Sequence, residues 1–328
     1  MLLLASAASA ADRFPGAAWE KTAPEAAGWS QAKLADARAI SEVMGSTAVM
    51  IVHKGVVVDE WGEVAAKTNL HSVRKSLLSA LIGIAVEERK IDLSDTMAKL
   101  GIDDNAPSLS EVEKQARVGD LLKARSGVYH AALYETSAMA ARRPPRGAHA
   151  PDTHWYYNNW DFNALGTIYE RAEKRSIFEA LDERIAKPIG MQDYQPIDGS
   201  YVTGPASDHR AYPIRMSARD LARFALLYLR EGRWNDRQIV PAQWVRDSAY
   251  NYSSVGPGRG YGYMWWIGPA ATPPGSFFAA GAGGQYALVI PSRDLVVVHR
   301  INSDTGVRDP SSAQLARFLR AILDAAPN

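Results

Sequence analysis

The sequence predicts an α/β fold in which a mixed sheet, built from both ends of the chain, is flanked by helices and interrupted by a large helical insertion. Strand-like apolar runs occupy residues 47–62 and recur over residues 261–302, whereas residues 72–245 show mainly helical periodicity and loop composition. The predicted division of the chain is an N-terminal arm over residues 1–28, an α/β sheet domain over 29–75 and 246–328, and a mainly helical domain over 76–245.

The composition is that of a globular chain with a full hydrophobic core, since 47% of its 328 residues are hydrophobic and 22% are charged. Its 37 Lys and Arg residues balance 36 Asp and Glu residues, so bulk charge draws the protein neither to nucleic acid nor to an anionic membrane. The absence of cysteine excludes disulfides, thiolate metal sites and cysteine nucleophiles. No apolar run reaches the roughly 18 residues of a membrane span. We therefore expect no nucleic-acid partner and no membrane span.

The first ten residues, MLLLASAASA, resemble the end of a secretory signal, because a short apolar stretch is followed by the small residues of a cleavage site. The basic start that such signals carry is missing. We expect a periplasmic or secreted protein, and the alternative is a cytoplasmic protein with an irregular terminus. Residues 11–28 contain Pro15, Pro24 and several Gly and Ala residues, which predicts an extended arm.

Two elements are predicted before the first candidate site. Ser30 is a good N-cap for the segment SQAKLADARAISEVM, in which Leu34, Ala37 and Ile40 recur at helical spacing. This segment is therefore expected to form an amphipathic surface helix. Residues 47–62, TAVMIVHKGVVVDEWG, contain two apolar runs separated by His-Lys-Gly, the pattern of a hairpin.

Three strand-like runs and a helix are predicted near the C-terminus. The runs are residues 261–268, 277–291 and 294–302, and a Pro-Ser-Arg-Asp turn joins the last two. After Pro310, the segment SSAQLARFLRAILDA returns to helical periodicity. A sheet that combines these runs with the N-terminal hairpin brings the two ends of the chain together.

The pattern Ser-x-x-Lys occurs twice, in different surroundings. Ser30 is expected to cap a surface helix, with Lys33 free to point into water. Ser72 opens SVRKSLLSALIGIAVEE, which is apolar on nearly all sides and therefore predicts a helix buried in the core. The spacing places Lys75 on the same helix face as Ser72, within reach of its hydroxyl, and the helix N-terminus favours negative charge there. A second N-cap beside a buried lysine is the alternative.

A Tyr-x-Asn pattern supplies further candidate groups. It occurs at Tyr157 and Asn159, and again one residue earlier, at Tyr156 and Asn158. A tyrosine whose proton is drawn toward a lysine can act as a general base, and an asparagine can donate to a substrate carbonyl while it fixes the lysine. Core packing of an aromatic cluster before a helix is the alternative interpretation.

Three features together resemble the serine β-lactamase and penicillin-binding-protein superfamily: SVRK after the first hairpin, YNN before FNALG, and a glycine-rich strand start near the C-terminus. The similarity extends over residues 30–325 and is greatest to the class C-like branch, which includes family VIII esterases, D-aminopeptidases and 6-aminohexanoate-oligomer hydrolases. In the pattern of this family, the tyrosine precedes the glycine of an L-L-G-like segment by nine residues. Counting back from Gly166 selects Tyr157 and Asn159.

The resemblance implies a β-lactamase-like fold with its site at the seam between the α/β part and the helical part, and neither a metal nor an organic cofactor. Ser72 would be acylated, and Lys75 and Tyr157 would share the general-base and general-acid work. Asn159 would position the substrate and the lysine. Hydrolysis through an acyl-enzyme proceeds in two steps, and each has an oxyanion that needs two donors.

The third motif departs from the family pattern. Where the family has Lys-Thr-Gly or His-Thr-Gly, residues 281–285 are Gly-Ala-Gly-Gly-Gln, so Ala282 replaces a cation. Because that cation helps to hold the carboxylate of a β-lactam or a peptide C-terminus, its absence favours other substrates. The glycines, Gly284 among them, permit a substrate to approach the strand closely. The N–H groups of Ser72 and Gln285 are the expected oxyanion donors, and a simple glycine bulge is the alternative.

Residues 141–159 form the longest irregular stretch, because their prolines and glycine exclude a helix. His149, Asp152 and His154 in this stretch are of residue types that bind metals, but the sequence offers no further clear ligand near them. We therefore interpret them as packing residues of the loop and expect no metal site. Aromatic residues expected in the core or on the pocket wall are Trp155, Trp160, Trp265, Trp266, Tyr129 and Tyr286.

The leading hypothesis is a serine hydrolase that cleaves a small-molecule ester or amide through an acyl-enzyme on Ser72. One alternative keeps this nucleophile and takes β-lactams or D-amino acid peptides as substrates. The other alternative is a non-catalytic sensor, which would hold a ligand in the same pocket after the third motif has been lost.

Overall fold

The structure is a computed structural model that describes residues 12–268, 272–306 and 309–327. The leader-like residues 1–10 lie outside these ranges. None of the helices within the ranges combines the length and the apolar character that a membrane span requires.

A large sheet of eight strands forms the centre of the described structure. The strands in chain order are β1 (Ala48–His53), β2 (Val56–Gly62), β3 (Thr68–Asn69), β4 (Arg215–Met216), β5 (Arg233–Trp234), β6 (Arg237–Gln238), β7 (Ser253–Gly256), β8 (Arg259–Tyr261), β9 (Trp266–Ile267), β10 (Phe277–Gly281), β11 (Gln285–Ile290) and β12 (Leu295–Arg300). The large sheet has the order β2-β1-β12-β11-β10-β9-β8-β7, and β3–β4 and β5–β6 form two short ribbons.

The prediction of one sheet built from both ends of the chain, within an α/β fold, is confirmed. The paired strands of the sheet all run antiparallel, so the sheet is antiparallel where a mixed one was expected. The reason is that most neighbouring strands are joined by short turns, which only antiparallel pairs permit. The predicted hairpin over residues 47–62 is confirmed as β1 and β2.

Helices cover the sheet and make up much of the middle of the chain. The α-helices in chain order are α1 (Gln31–Val43), α2 (Arg74–Glu87), α3 (Met97–Leu100), α4 (Val118–Leu122), α5 (Ser137–Arg142), α6 (Asn159–Glu173), α7 (Ile177–Leu181), α8 (Ala218–Leu229), α9 (Ala242–Ser248) and α10 (Ser312–Ala325). Short 3-10 turns are Glu25–Ala27, His71–Val73, Glu113–Gln115, Pro196–Asp198, Pro291–Arg293 and Ser303–Thr305, and the π-helical turn Asp182–Ala186 follows α7.

The two predicted helices at the ends of the chain are confirmed, with their caps. Ser30 caps α1, because its side-chain oxygen accepts a hydrogen bond from the N–H of Lys33. Ser311 caps α10 and forms a capping box with Gln314. Each cap satisfies a donor that the first helical turn leaves free.

Strands β1 and β12 are buried at every position, on both faces of the sheet, which explains why their sequences are largely apolar. In β1, Met50 and Val52 belong to a core shared with α2 and α8, whereas Val49 and Ile51 belong to a second core shared with α1 and α10. Side chains along a strand alternate between the faces, so a strand covered on both sides needs apolar residues at every position. Helix α2 lies within the first core and buries all of residues 74–85.

Several predicted segments divide differently in the structure. Residues 277–291, expected as one run, fold back as β10 and β11, since Gly283 and Gly284 adopt positive φ in the turn between them. Residues 261–268 contain the end of β8 and all of β9, and β7 has no counterpart in the prediction because Ser-Ser-Val-Gly lacks an apolar strand pattern. Helix α5 ends at Arg142, so the irregular stretch begins two residues later than expected. The division into two domains stays a prediction.

Candidate active site

The 3-10 turn His71–Val73 holds Ser72 at the head of α2. The chain enters this turn from β3, and the side-chain oxygen of Asn69 accepts a hydrogen bond from the N–H of His71 at 2.9 Å. His71 has a φ of 47°, a conformation that costs free energy in a residue other than glycine. The α-helix begins at Arg74, two residues after its expected start. Ser72 therefore lies half-buried at the N-terminal end of a buried helix, where backbone N–H groups are free of intrahelical partners.

Lys75 joins Ser72 to Tyr157. Its Nζ lies 2.7 Å from Ser72 Oγ and 2.9 Å from Tyr157 Oη, although Tyr157 is 82 residues away from it along the chain. Lys75 is only 1% exposed, and its Nζ lies 4.8 Å and 4.9 Å from the ring centres of Tyr157 and Phe162. Tyr156, the tyrosine of the alternative Tyr-x-Asn pattern, instead donates a hydrogen bond from its hydroxyl to a carbonyl in α5. The structure thus brings three of the predicted site residues within hydrogen-bond distance.

The protonation states of this cluster follow from its burial. Desolvation, together with the positive charge of Arg74, holds the pKa of Lys75 well below its ordinary value of 10.5. Desolvation raises the pKa of Tyr157 to about 12, against smaller lowering effects from the hydrogen bond with Ser72 and from Arg74. Both directions favour the uncharged forms, which are a neutral amine and a protonated phenol. Lys75 can accept a proton in this state, and Tyr157 can donate one.

The two asparagines after Tyr157 have different roles. Asn158 caps α6, since its side-chain oxygen accepts a hydrogen bond from the N–H of Trp160 at 3.1 Å. Asn159 donates its amide to the carbonyl of Tyr134 at 2.9 Å, so this nitrogen is directed to Tyr134 rather than to Lys75. The Oδ1 of Asn159 is buried and has no hydrogen-bond partner among the described residues. This oxygen is an unpaired acceptor on a residue that lies two positions after Tyr157 in the chain.

Strand β10 lies directly against the turn that holds Ser72. A Cβ atom at Gly281 would lie 2.4 Å from the carbonyl oxygen of Leu70 and 3.1 Å from the nitrogen of Ser72, which is too close for any side chain. Only glycine lets the strand approach this far. Ala282, at the tip of the hairpin, is exposed. The glycine-rich run was the sequence signal for this approach, but it did not identify which glycine makes it.

Gly284 and Gln285, the predicted substrate-binding residues, make internal contacts. Gln285 lies across the hairpin from Gly281, and its fully buried side chain accepts a hydrogen bond from Arg300 at 2.6 Å and donates to the carbonyl of Ile301 at 2.7 Å. A Cβ atom added at Gly284 would meet the side chain of Ile301 at 2.9 Å. The side chain of Gln285 is therefore not available to a substrate. Its peptide N–H as an oxyanion donor stays a prediction.

Arg300 connects β3 and β4 to the β10–β11 hairpin. Besides Gln285, its guanidinium donates to the hydroxyl of Thr68 at 2.6 Å, to the carbonyls of Thr68 and Asn69 at 3.0 and 3.2 Å, and to the carbonyl of Met216 at 2.8 Å. Burial lowers the pKa of Arg300 to about 9. Neutral oxygens from both sides of the site thus accept hydrogen bonds from one buried side chain. No motif around residue 300 indicates this role, because HRIN reads as the end of a strand.

Aromatic side chains line one side of the cluster. Trp266 stacks on Tyr157 with ring centres 5.4 Å apart and 24° between the ring planes, and Trp155 meets Trp266 edge-on at 6.1 Å. Both of these tryptophans are partly exposed, whereas Trp160 and Trp265 are fully buried in the core. Trp155 and Trp266 therefore present apolar surface beside the site, which suits apolar groups of a ligand.

The polar residues of the loop before α6 are engaged with one another and with α4. His149 stacks on His154 with ring centres 3.9 Å apart, and Asp152 forms ion pairs with Lys123 at 2.7 Å and Arg125 at 2.9 Å. Within residues 12–268, 272–306 and 309–327, no group of three or more His, Cys, Asp or Glu side chains is arranged to hold a metal ion. These contacts fix the path of the loop that leads into α6.

Comparisons with known proteins agree with the observed fold. A family model described as Beta-lactamase matches residues 32–321. An uncharacterized protein of Alkalihalophilus pseudofirmus is 22% identical over 297 residues, which cover 78% of this chain and 83% of the relative. Among solved structures, a candidate 6-aminohexanoate-dimer hydrolase from Bacillus anthracis has a TM-score of 0.70 and 23% identity, with 89% of this chain and 83% of that chain covered. A family VIII carboxylesterase has a TM-score of 0.67 and 15% identity, with 90% and 97% covered.

Proposed function

The chain belongs to the Beta-lactamase family and is a hydrolase, and we propose that it cleaves small esters or amides through an acyl-enzyme formed on Ser72. The observation that carries this proposal is the Lys75 amine, which lies within hydrogen-bond distance of both the Ser72 hydroxyl and the Tyr157 phenol. A serine hydroxyl becomes a nucleophile when an adjacent base takes its proton. The names of two similar structures, a carboxylesterase and a candidate 6-aminohexanoate-dimer hydrolase, agree with this class of substrate.

In the proposed acylation step, Lys75 takes the proton of the Ser72 hydroxyl while Ser72 Oγ forms a bond to the carbonyl carbon of the substrate. The bond to the leaving group then breaks, and the phenol of Tyr157 donates a proton to the departing alkoxide or amine. The Lys75 ammonium returns its proton to Tyr157. The pKa directions support this order, because the amine is the proton acceptor of the pair and the phenol is the donor.

Deacylation reverses these steps with water in place of the leaving group. A water molecule gives up a proton to the tyrosine and lysine pair, and its oxygen forms a bond to the acyl carbon. The bond to Ser72 Oγ breaks, and the serine recovers its proton from Lys75. Asn159, whose buried Oδ1 has no partner among the described residues, offers an acceptor to an N–H group of the substrate.

Each tetrahedral intermediate carries negative charge on the former carbonyl oxygen. The N–H of Ser72 is the first proposed donor, at the start of α2, where the helix dipole adds partial positive charge. The second donor belongs to the β10–β11 hairpin, for which Gln285 is the prediction. Gly281 supports this arrangement, because the missing side chain lets the hairpin backbone reach the amide of Ser72.

The proposed substrates are uncharged near the scissile bond. Ala282 carries no cation that would hold a carboxylate at the hairpin, and it is exposed. Trp155 and Trp266 provide partly exposed aromatic surface on the other side of the cluster. Short apolar acyl chains gain from contact with such surface, whereas a free carboxylate gains nothing from it.

A substrate panel with mass detection tests this proposal. We would incubate the protein with p-nitrophenyl esters of graded length, the matching p-nitroanilides and a chromogenic cephalosporin, and follow both product and intact protein mass over time. The expected result is turnover of short esters, with a transient acyl mass that is absent in Ser72→Ala. Comparable efficiency on the cephalosporin would contradict the substrate class, and an acyl adduct that persists without turnover would favour a sensor.

A further inference from the structure

Arg74 is a buried arginine with an incomplete set of hydrogen bonds. Its side chain is 1% exposed, and its Nη1 donates to the carbonyl of His71 at 2.9 Å. Its Nε and Nη2 are buried and have no partner among the described residues. The guanidinium carbon lies 5.1 Å from the ring centre of Tyr134 and 5.0 Å from that of Tyr212. Aromatic faces attract a cation, but they leave these donors without an oxygen acceptor.

Arg300 shows that this fold can bury an arginine with its donors matched. Its guanidinium donates to oxygens of Gln285, Thr68, Asn69 and Met216. A buried charge with unmatched donors is destabilising, so its retention at Arg74 calls for an explanation. The distinctive feature of Arg74 is its place in the chain, directly before Lys75 in the first turn of α2.

Among the described residues, no carboxylate forms an ion pair with Lys75, whose amine contacts the hydroxyls of Ser72 and Tyr157. Lys75 Nζ contacts Tyr157, and Arg74 precedes Lys75 in the same turn. Tyr134 and Tyr212 lie against Arg74, and Tyr261 lies against Tyr157. His71, before Ser72, is influenced by Arg74 and Arg300 and by the carboxylates Asp304 and Asp309. Asp161, near Tyr261, is buried, and desolvation raises its pKa well above the ordinary value, which favours its neutral form. Among the described residues, Lys75 has no carboxylate partner and lies beside a positive charge.

We propose that Arg74 is a positioning residue, whose charge adds to the effect of burial in disfavouring a proton on the Lys75 amine, so that this amine is ready to accept the Ser72 proton. This inference rests on the function proposed above for Ser72 and Lys75. The guanidinium is the most basic of the side-chain groups and carries a positive charge at neutral pH. A second positive charge on the neighbouring amine is therefore repelled, and the repulsion is strengthened because both side chains are buried. The same charge stabilises negative charge that develops on Ser72 Oγ.

The test is the pH dependence of kcat/KM for a p-nitrophenyl ester in the wild type, Arg74→Met and Arg74→Lys. A base must be neutral to work, so activity rises with pH as Lys75 loses its proton. Removal of the neighbouring charge raises the pKa of Lys75, and we expect the acid limb of Arg74→Met to move to higher pH by about one unit. Activity should return at high pH. Arg74→Lys keeps a positive charge, so its limb should move less.

Arg223→Met is the matched control. Arg223 is as buried as Arg74, lies over the rings of Trp19 and Trp234, and also has a buried Nε without a partner among the described residues. Its Nη1 and Nη2 donate to the carbonyls of Ile189 and Gly16, which do not belong to the candidate site. This variant should lose thermal stability while its acid limb stays at the wild-type pH. A limb that moved equally in Arg223→Met would show that general destabilisation moves it, and this would overturn the inference.

The outcomes for Arg74 and for the proposed function are separable. If Arg74→Met keeps an acid limb at the wild-type pH while a fluorophosphonate still modifies Ser72, the role of Arg74 is wrong and the proposed function stands. If Ser72 is not modified in the wild type, the proposed function itself fails. Should Arg74→Met not fold, Arg74→Gln replaces it, because its amide can still donate to the carbonyl of His71, and the same shift is expected.

Discussion

The two Ser-x-x-Lys segments of this chain share their spacing and differ in their surroundings. At the start of α1, Ser30 Oγ accepts a hydrogen bond from the backbone N–H of Lys33, and the exposed Lys33 Nζ donates to the carbonyl of Asp324 at 2.8 Å. At the start of α2, Lys75 Nζ lies 2.7 Å from Ser72 Oγ and is withdrawn from water. Both serines are half-buried, so the burial of the lysine is what distinguishes the two segments.

This contrast shows that the Ser-x-x-Lys spacing brings the lysine close to the serine, whereas the surroundings decide whether the lysine can act as a base. Lys33 links the start of α1 to the end of α10, which is a structural role. Desolvation of Lys75 and the positive charge of Arg74 lower the pKa of Lys75, so its amine can act as a base. Substitutions in the second segment should therefore reduce activity far more than the equivalent substitutions in the first, and Ser30→Ala should reduce stability more than Ser72→Ala.

The largest expected difference is between Ser72→Ala and Ser30→Ala. Ser72→Ala removes the proposed nucleophile, and we expect kcat/KM for a p-nitrophenyl ester to fall by about three orders of magnitude or more. Ser30→Ala should keep its activity within about twofold, since position 30 has no contact with the site. Steady-state kinetics with both purified variants checks this. Equal losses of kcat/KM in the two variants would contradict the claim that only the second Ser-x-x-Lys segment is catalytic.

The next largest difference is expected between Lys75→Met and Lys33→Met. Methionine fills the space of the lysine stem but cannot take a proton, so Lys75→Met should lose about 10²- to 10⁴-fold in kcat. Lys33→Met should keep its activity, because it loses one exposed hydrogen bond to the end of α10. The measurement is single-turnover acylation, which reports the step that needs the base. Full acylation rates in Lys75→Met would show that another group activates Ser72.

A smaller effect is expected for Tyr157→Phe, with Tyr156→Phe as its control. Phenylalanine keeps the stacking on Trp266 but cannot donate a proton to the leaving group, so we expect kcat to fall by about 10²-fold. The loss should be greater for esters with poor leaving groups than for p-nitrophenyl esters, which need little protonation. Tyr156→Phe removes a hydrogen bond to α5 and should keep its activity. Equal loss for all leaving groups would contradict the role as a proton donor.

The smallest expected effect is on stability, where Ser30→Ala should lose more than Ser72→Ala. Ser30 caps α1, whereas the N-cap position of α2, Val73, makes no side-chain cap. Ser30→Ala should therefore lower the free energy of unfolding by about 1 kcal/mol, and Ser72→Ala should lower it less. Urea denaturation of the wild type and both variants checks this. A larger loss of stability in Ser72→Ala would mean that its hydroxyl has a structural role in place of a reactive one.

The parts of the fold that depend on local sequence could be predicted. The hairpin over residues 47–62 and the helices α1 and α10 have clear apolar periodicity and their own turn or cap residues. The hairpin β10–β11 and the pair β7–β8 could not be predicted in the same way. Residues 277–291 carry strand preference, but the run did not show where the chain turns back between β10 and β11. The sequences of β7 and β8 carry little strand preference, and their pairing depends on neighbours in the sheet.

In the candidate site, too, the residues in short local patterns could be predicted and those that act through distant contacts could not. Ser72, Lys75 and Tyr157 belong to short patterns whose chemistry can be named from residue types. Gly281 and Arg300 could not be identified, because their roles arise from contacts with residues near position 70, far away along the chain. Asn159 lies in a recognisable pattern, but its amide contact with a carbonyl of the preceding loop depends on the path of that loop.

The most direct test of the central claim is to locate the reactive serine. The protein would be treated with a fluorophosphonate, digested, and mapped by mass spectrometry, with Lys75→Met and Lys33→Met treated in parallel. We expect the adduct on Ser72 in the wild type and in Lys33→Met, a much slower reaction in Lys75→Met, and none on Ser30. An adduct on another serine, or an unchanged rate on Ser72 in Lys75→Met, would contradict the claim that a buried amine activates this hydroxyl.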